Sequence, residues 1–327
     1  MRSVFAFLGV FSVSLMLSLG CSEGGGTDLC EGVECFPCTE QGIRDAIVEG
    51  GGPHTFDCDG AQTVVTEFEI VIDNDVILDG EGNLTVDGDQ HHRMFWVRNG
   101  VVAELRGVSV RRGRALGEVT EDREGGGIFN EGTLTLTHST VSGNGTEYQG
   151  GGIFNEGTLT LTHSTVSENS AIVDWADAEG GGIYKLTGTL ALTDSTVSGN
   201  RATSEGGGIY NFLGTLTLRS SLIDGECAGT IASAGHNIES PGDTCSFDQP
   251  TDQVNVSADD LNLGPLQDNG GPTQTRALGA DSVAIDQIPA EDCVDADGAP
   301  LTTDQRGQPR PETGGTMCDV GAFEVQP

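Results

Sequence analysis

One sentence of sequence, written four times, constrains this chain more than any other feature. Gly125-Gly126-Gly127-Ile128-Phe129-Asn130-Glu131-Gly132-Thr133-Leu134-Thr135-Leu136-Thr137-His138-Ser139-Thr140-Val141-Ser142-Gly143-Asn144 returns nearly letter for letter at 150–169. It returns again at 180–200 and 206–226 with one extra residue in the first turn. The starts are 25, 30 and 26 residues apart. A period of that size belongs to stacked units, none of which buries its apolar face alone. Leu134 and Leu136 point one way and Thr133, Thr135 and Thr137 the other, which is β alternation. Ile128, the Leu pair and Val141 mark three short strands separated by Gly-rich corners. The pattern predicts an all-β, right-handed parallel β-helix with three short strands per coil.

In such a stack a one-residue slip would turn Thr inward and Leu outward, so register is strongly specified. Leu134, Leu161 and Leu192 are expected in one interior column. Asn130, Asn155 and Asn211 form one row of corner asparagines, interrupted by Lys185, and Asn144, Asn169 and Asn200 form another. Inward Asn side chains satisfy turn backbone and one another, so both rows read as structural ladders. The degenerate segment 99–110 aligns without gaps on 130–141, so the solenoid begins well before Gly125.

Two outward rows bear on function. Phe129, Phe154, Tyr184 and Tyr210 are aromatic; they stack coil on coil, or they stack on sugar rings. The row after the second strand is read as His138, His163, Asp194 and Arg219, with no carboxylate cluster beside it. A glycosidase needs two carboxylates flanking the scissile bond. There is no Ser-His-Asp order, P-loop or HExxH, so no catalytic residue is assigned. Unit lengths differ mainly at 145–149, 170–179 and 201–205, which therefore emerge on one side, as binding loops often do. The longest carries Trp175 beside Asp174, Asp177 and Glu179. It either stacks on a sugar or folds its apolar residues back on the wall.

The flanking segments set the domain plan. Residues 1–20 read as a signal peptide, with Arg2 before an apolar run too short to span a bilayer comfortably. The run ends Leu17-Ser18-Leu19-Gly20-Cys21, which resembles a bacterial lipoprotein signal with Cys21 as the lipidated residue. That implies anchoring in the outer membrane at the cell surface; secretion without an anchor is the alternative. Residues 21–37 are a Gly/Cys-rich tether. Residues 38–262 form the β-helix, whose open end would be covered by a helix over 39–49 carrying Ile43, Ala46 and Ile47. Residues 263–327 form an irregular C-terminal cap. Removing Cys21 leaves eight cysteines, an even set that in an exported chain suggests disulfides. Cys38 and Cys58 flank the helix and its first strand and pair, which leaves Cys30 with Cys35. The net charge of −35, with Lys185 the only lysine, excludes nucleic acid and acidic polymers as partners.

The repeats resemble the pectate-lyase-like β-helix domains of polymorphic outer-membrane proteins. The tail is similar to that of choice-of-anchor Q domain proteins. It carries Leu263-Gly264-Pro265-Leu266-Gln267-Asp268-Asn269-Gly270-Gly271-Pro272-Thr273-Gln274-Thr275, then Ala284-Ile285-Asp286, Thr303-Asp304-Gln305-Arg306-Gly307 and Cys318-Asp319-Val320-Gly321-Ala322-Phe323-Glu324. The resemblance implies an exported surface β-helix with no assigned chemistry, anchored by its N-terminal lipid; a monomer is expected. It also bears on pairing: Cys227 with Cys245 and Cys293 with Cys318 would each close a modest loop. Asp304 and Arg306 then form a structural pair. No cofactor is required. Calcium is the one ion the acidic loops admit, at Asp292, Asp295 and Asp297 or at the cluster Asp73, Asp75, Asp79, Asp87 and Asp89, against a solvated acidic edge as the alternative. The leading reading is an adhesin-like interaction or structural lipoprotein. A glycan or a surface protein is its partner, a carbohydrate-binding protein is the second reading, and a polysaccharide lyase or hydrolase is the third.

Overall fold

The structure is a computed structural model that describes residues 35–117, 123–173, 177–295 and 298–327. It is mostly β, with parallel strands in curled sheets and few helices, consistent with a parallel β-helix. In each of the first three copies a three-residue strand joins one ladder and a five- and a three-residue strand join a second. For the first copy these are Ile128–Asn130, Thr133–Thr137 and Thr140–Ser142. A two-residue strand, Gly145–Thr146, joins a third ladder with its counterparts in neighbouring copies and is additional to the three expected. It lies where each copy leaves the consensus for its variable loop.

Register follows the copying. Leu134 pairs with Leu159, Leu159 with Leu190 and Leu190 with Leu216, while Leu136, Leu161, Leu192 and Leu218 form the neighbouring column. The expected column of Leu134, Leu161 and Leu192 is therefore corrected: Leu134 stands one column away from the other two, because a period of 25 carries it onto Leu159. Both columns are buried in the core with Ile128, Val141 and their equivalents. Each fully buried Leu contributes roughly 1.5–3 kcal/mol. In the earlier coils one long strand, Val102–Arg111, pairs with both Thr133–Thr137 and Thr140–Ser142. In the repeats that strand is broken at His138, His163, Asp194 and Ser220, all at positive φ near 50°.

Polar ladders fill the corners. Asn144 Nδ2 donates to Asn169 Oδ1 and Asn169 Nδ2 to Asn200 Oδ1, both at 3.0 Å, and each amide also reaches a valine carbonyl of the preceding coil. Asn130 Nδ2 donates to Asn155 Oδ1 at 2.6 Å. Lys185 takes the next place in that row and donates to Asn211 Oδ1 at 3.1 Å. A serine ladder that the sequence reading missed runs beside them: Ser164 Oγ accepts from Ser139 N, Ser195 Oγ from Ser164 N and Ser221 Oγ from Ser195 N. These bonds satisfy corner backbone that the strands leave unpaired.

At the N-terminal end helix Glu40–Glu49 buries Ile43, Ala46 and Ile47 against the core, and Thr39 caps it by accepting from Gly42 N. Disulfides join Cys38 to Cys58, Cys227 to Cys245 and Cys293 to Cys318. The Cys30–Cys35 pairing and the lipid site Cys21 involve residues outside those described.

The segment 263–327 was expected to close the end of the stack, and it lies along the flank instead. It covers the outward face of the strands that begin at Thr140, Thr165, Thr196 and Leu222. A Cβ on Gly82, in an early coil, would fall 1.8 Å from Pro272, and Gly321 N reaches Ser220 O in a late one. The side chain of Gln305 is buried in the seam. It accepts from Thr165 Oγ1 at 2.6 Å and donates to Thr140 Oγ1 at 2.9 Å and Thr273 Oγ1 at 2.7 Å. Ala322 N donates to Thr196 Oγ1, and Leu222 and Ile238 join the segment's own core with Leu278, Ile288 and Val320. The hydroxyls and backbone of one wall thus find partners in the strap rather than in water.

Candidate functional site

Two outer surfaces gather chemistry. The first is the aromatic row. Trp96, Phe129, Phe154, Tyr184 and Tyr210 run coil to coil with ring centroids 5.0–5.6 Å apart, and the Phe154–Tyr184 and Tyr184–Tyr210 pairs are within 5° of parallel. Phe129, Phe154 and Tyr184 are buried and packed on one another, Phe129 edge-on to Phe154 and Phe154 face to face with Tyr184, which leaves no room for a sugar ring. Only the ends open. At the N-terminal end Trp96 is held by Glu131, which accepts from its Nε1 at 2.7 Å, and by Arg98, whose guanidinium lies 3.6 Å above the ring. At the C-terminal end Tyr210 is partly exposed and stacks on Phe212.

Beside this ladder runs a row that the sequence reading missed. Glu124, Gln149, Glu179 and Glu205 each stand immediately before a glycine triplet. Gln149 Nε2 donates to Glu179 Oε2 at 3.0 Å. Burial raises the Glu179 carboxyl above its ordinary range, with Glu205 and Asp177 adding repulsion and the Gln149 bond opposing. The signal was available: counting backward from each triplet finds the row, whereas counting forward loses it in the variable loops. Trp175 lies outside the described residues.

The second surface lies under the strap. The positive-φ row reads His138, His163, Asp194 and Ser220; the expected Arg219 pairs one position earlier, with Thr193. The third and fourth copies both carry the extra residue in the first turn, so the position equivalent to Asp194 is Ser220. Asp194 and Arg310 are both fully buried and joined at 2.5 Å, and Arg310 also donates to the carbonyls of Gly321 and Asp319. Glu324 stands 3.8 Å from the same guanidinium. Burial pushes Asp194 up to about 6 and Glu324 up to about 8, against the pull of Arg310. Burial also holds His163 well below the usual imidazole range, and His138 below it to a lesser degree. These groups brace the strap, although one carboxylate oxygen of Asp194, Nε of Arg310 and Nε2 of His163 are buried there with no hydrogen-bond partner.

A pH dependence follows. Glu324 has a raised folded-state pKa, so its contribution to stability is fully present below about 4.5 and is lost as pH rises through about 8. The depressed histidines act in the opposite direction, because their contribution is lost as pH falls below about 6.5. On the acid side they oppose Asp194 and Glu324; on the alkaline side Glu324 acts without them. The wild type is expected to lose stability as pH rises from about 6.5 to about 8, and Glu324→Gln to flatten that slope in urea unfolding. An unchanged slope would sink the assignment.

Several members of the acidic clusters make structural contacts. Asp87 is buried with Arg111 and Arg112 at 2.9 and 2.8 Å. Burial works to raise its carboxyl, yet Arg112, the Asp89 N–H and Arg111 hold it below its ordinary value. Asp79 pairs with Arg106 and Asp89 with Arg112, while Asp75 accepts from Val102 N. Asp292 faces His236 at 3.5 Å, Asp295 accepts from Ala299 N, and Asp297 lies outside the described residues. Among the described residues no three His, Cys, Asp or Glu side chains converge as a metal group. Asp304 and Arg306 pair at 2.7 Å, and Asp304 also accepts from the backbone of Arg306, Gln308 and Glu324.

Residues 194–211, which run from the buried Asp194 to Asn211 at the open end of the aromatic ladder, match the Chlamydia polymorphic membrane protein repeat. The match is short and fits a repeat-built, β-helix-like surface protein. No curated protein and no solved structure matches the chain.

Proposed function

We propose that this chain is an exported, lipid-anchored protein of the outer membrane and cell surface that works as an adhesin-like interaction scaffold. The observation that carries the reading is the polymorphic-membrane-protein repeat falling on strands stacked in register. The finer architecture belongs to the same reading: a right-handed β-helix of three main strands per coil, capped by the helix Glu40–Glu49 and strapped along one flank by a tail of the choice-of-anchor Q kind. One wall is given over to the strap and one row of rings to stacking. Interaction then falls to the loops before the glycine triplets and to the open end of the aromatic ladder. A carbohydrate-binding role is the second reading, favoured by the exposed aromatic at that end.

Export and anchoring are tested in cells. The wild type should incorporate labelled fatty acid and be digested by protease added to intact cells. Cys21→Ser should lose the label and appear in the medium or periplasm. A chain that stays unlabelled and protected inside the cell would overturn the proposal.

A further inference from the structure

In the third and fourth copies the first turn departs from the repeat in the same way. The position held by Glu131 and Glu156 becomes Leu186 and Phe212, and the turn gains a residue. Leu186 packs on the aromatic ladder, while Phe212 and Leu213 remain 53% and 57% exposed. The Tyr210 and Phe212 rings lie 18° from parallel with centroids 6.5 Å apart, which extends the ladder into solvent as a flat step. The turn beneath is pinned: Phe212 N donates to Lys185 O at 2.9 Å, and the buried Lys185 ammonium donates to Leu213 O. A platform held by its own scaffold spends little ordering entropy on binding.

Apart from the Lys185 ammonium buried beneath the turn, the charges named beside it are carboxylates. Glu179 and Glu205 are the carboxylates whose field acts on the Tyr210 phenol, and Glu205 is exposed. With a net charge of −35 behind it, this surface repels uronate polymers and anionic headgroups. Carboxylates beside an aromatic face accept hydroxyl donors, and the ring faces take the apolar C–H side of a pyranose.

We propose that Tyr210, Phe212 and Leu213 form a binding platform for a neutral sugar unit of a glycan, with Glu205 accepting its hydroxyls. This deepens the reading of the chain as an interaction protein by naming its partner class. The test is titration of the full chain with neutral hexasaccharides (β-1,4-glucan, β-1,3-glucan and α-mannan) and with polygalacturonate, read by calorimetry. At least one neutral glycan should bind, polygalacturonate should not, and Phe212→Ala should weaken binding about tenfold with unfolding unchanged, as expected for one lost stacking contact. Glu205→Gln, a second variant on an exposed site, should weaken the same glycan. Absence of neutral-glycan binding, equal binding of polygalacturonate, or binding indifferent to Phe212→Ala would each overturn the platform. None of these outcomes touches surface display, which the fatty-acid and protease experiments decide separately.

Discussion

Arg310→Met should cost about 3–5 kcal/mol, the range for removing one member of a buried ion pair. Asp194, fully buried and already pushed up to about 6 with Arg310 in place, would lose its counter-ion and have to take up a proton or stay charged without a partner. The carbonyls of Gly321 and Asp319 would lose a charged donor as well. The loss should appear first in the strap, because the seam along Thr140, Thr165 and Thr196 is polar and depends on geometry that Arg310 helps fix. Limited proteolysis should cut within 263–327 before it cuts the repeats, and urea unfolding should begin earlier. Adding Asp194→Asn should recover part of the loss, since both charges then leave the interior together. Asn also suits the positive φ of 46° at that position. A single variant as stable and protease-resistant as wild type would mean that the strap is held by something other than this pair.

The repeat made the interior legible and the strap illegible for one physical reason. Core columns arise from contacts between equivalent positions, so a period in the sequence is already a contact map. Leu136, Leu161, Leu192 and Leu218 could be stacked by counting. The strap has no period. Gln305 meets Thr165 across 140 residues and Arg310 meets Asp194 across 116, and nothing local in either segment announces the partner. Its polar and acidic motifs therefore looked like an end cap. His163 and Asp194 looked like surface residues of an outer wall, and only the covering strap makes them buried. The same limit explains the aromatic row. Alternation placed Phe129 and Phe154 outward correctly, but it could not say that neighbouring rings and Arg93 would seal them. Counting slips at two places: it sets Leu134 over Leu161 although a period of 25 carries it onto Leu159, and it takes Arg219 for Ser220 where the third and fourth copies carry an extra residue in the first turn.

The glycine triplet yields the other large effect, because its middle residue is required by space rather than by backbone angle. A Cβ on Gly151 would stand 2.4 Å from Gly181 O, and on Gly181 it would stand 2.2 Å from Arg201 O. Gly181 O is main chain of the next coil and Arg201 O is main chain at the close of Gly181's own turn, and parallel coils sit only about 4.8 Å apart. Gly181 O cannot move without parting the ladder, since it accepts from Gly152 N at 3.1 Å. Gly151→Ala should therefore cost about 3 kcal/mol, the upper end for overpacking. Gly207 holds the same place in the fourth copy, where the following coil is no longer a faithful copy. The nearest atom to its Cβ is Asn200 O at 3.4 Å, ordinary contact. Gly207→Ala should be close to neutral. Unfolding midpoints of the two variants, measured side by side, give the answer: if Gly151→Ala is no less stable than Gly207→Ala, the triplet is conserved within the chain for some reason other than the spacing of its coils.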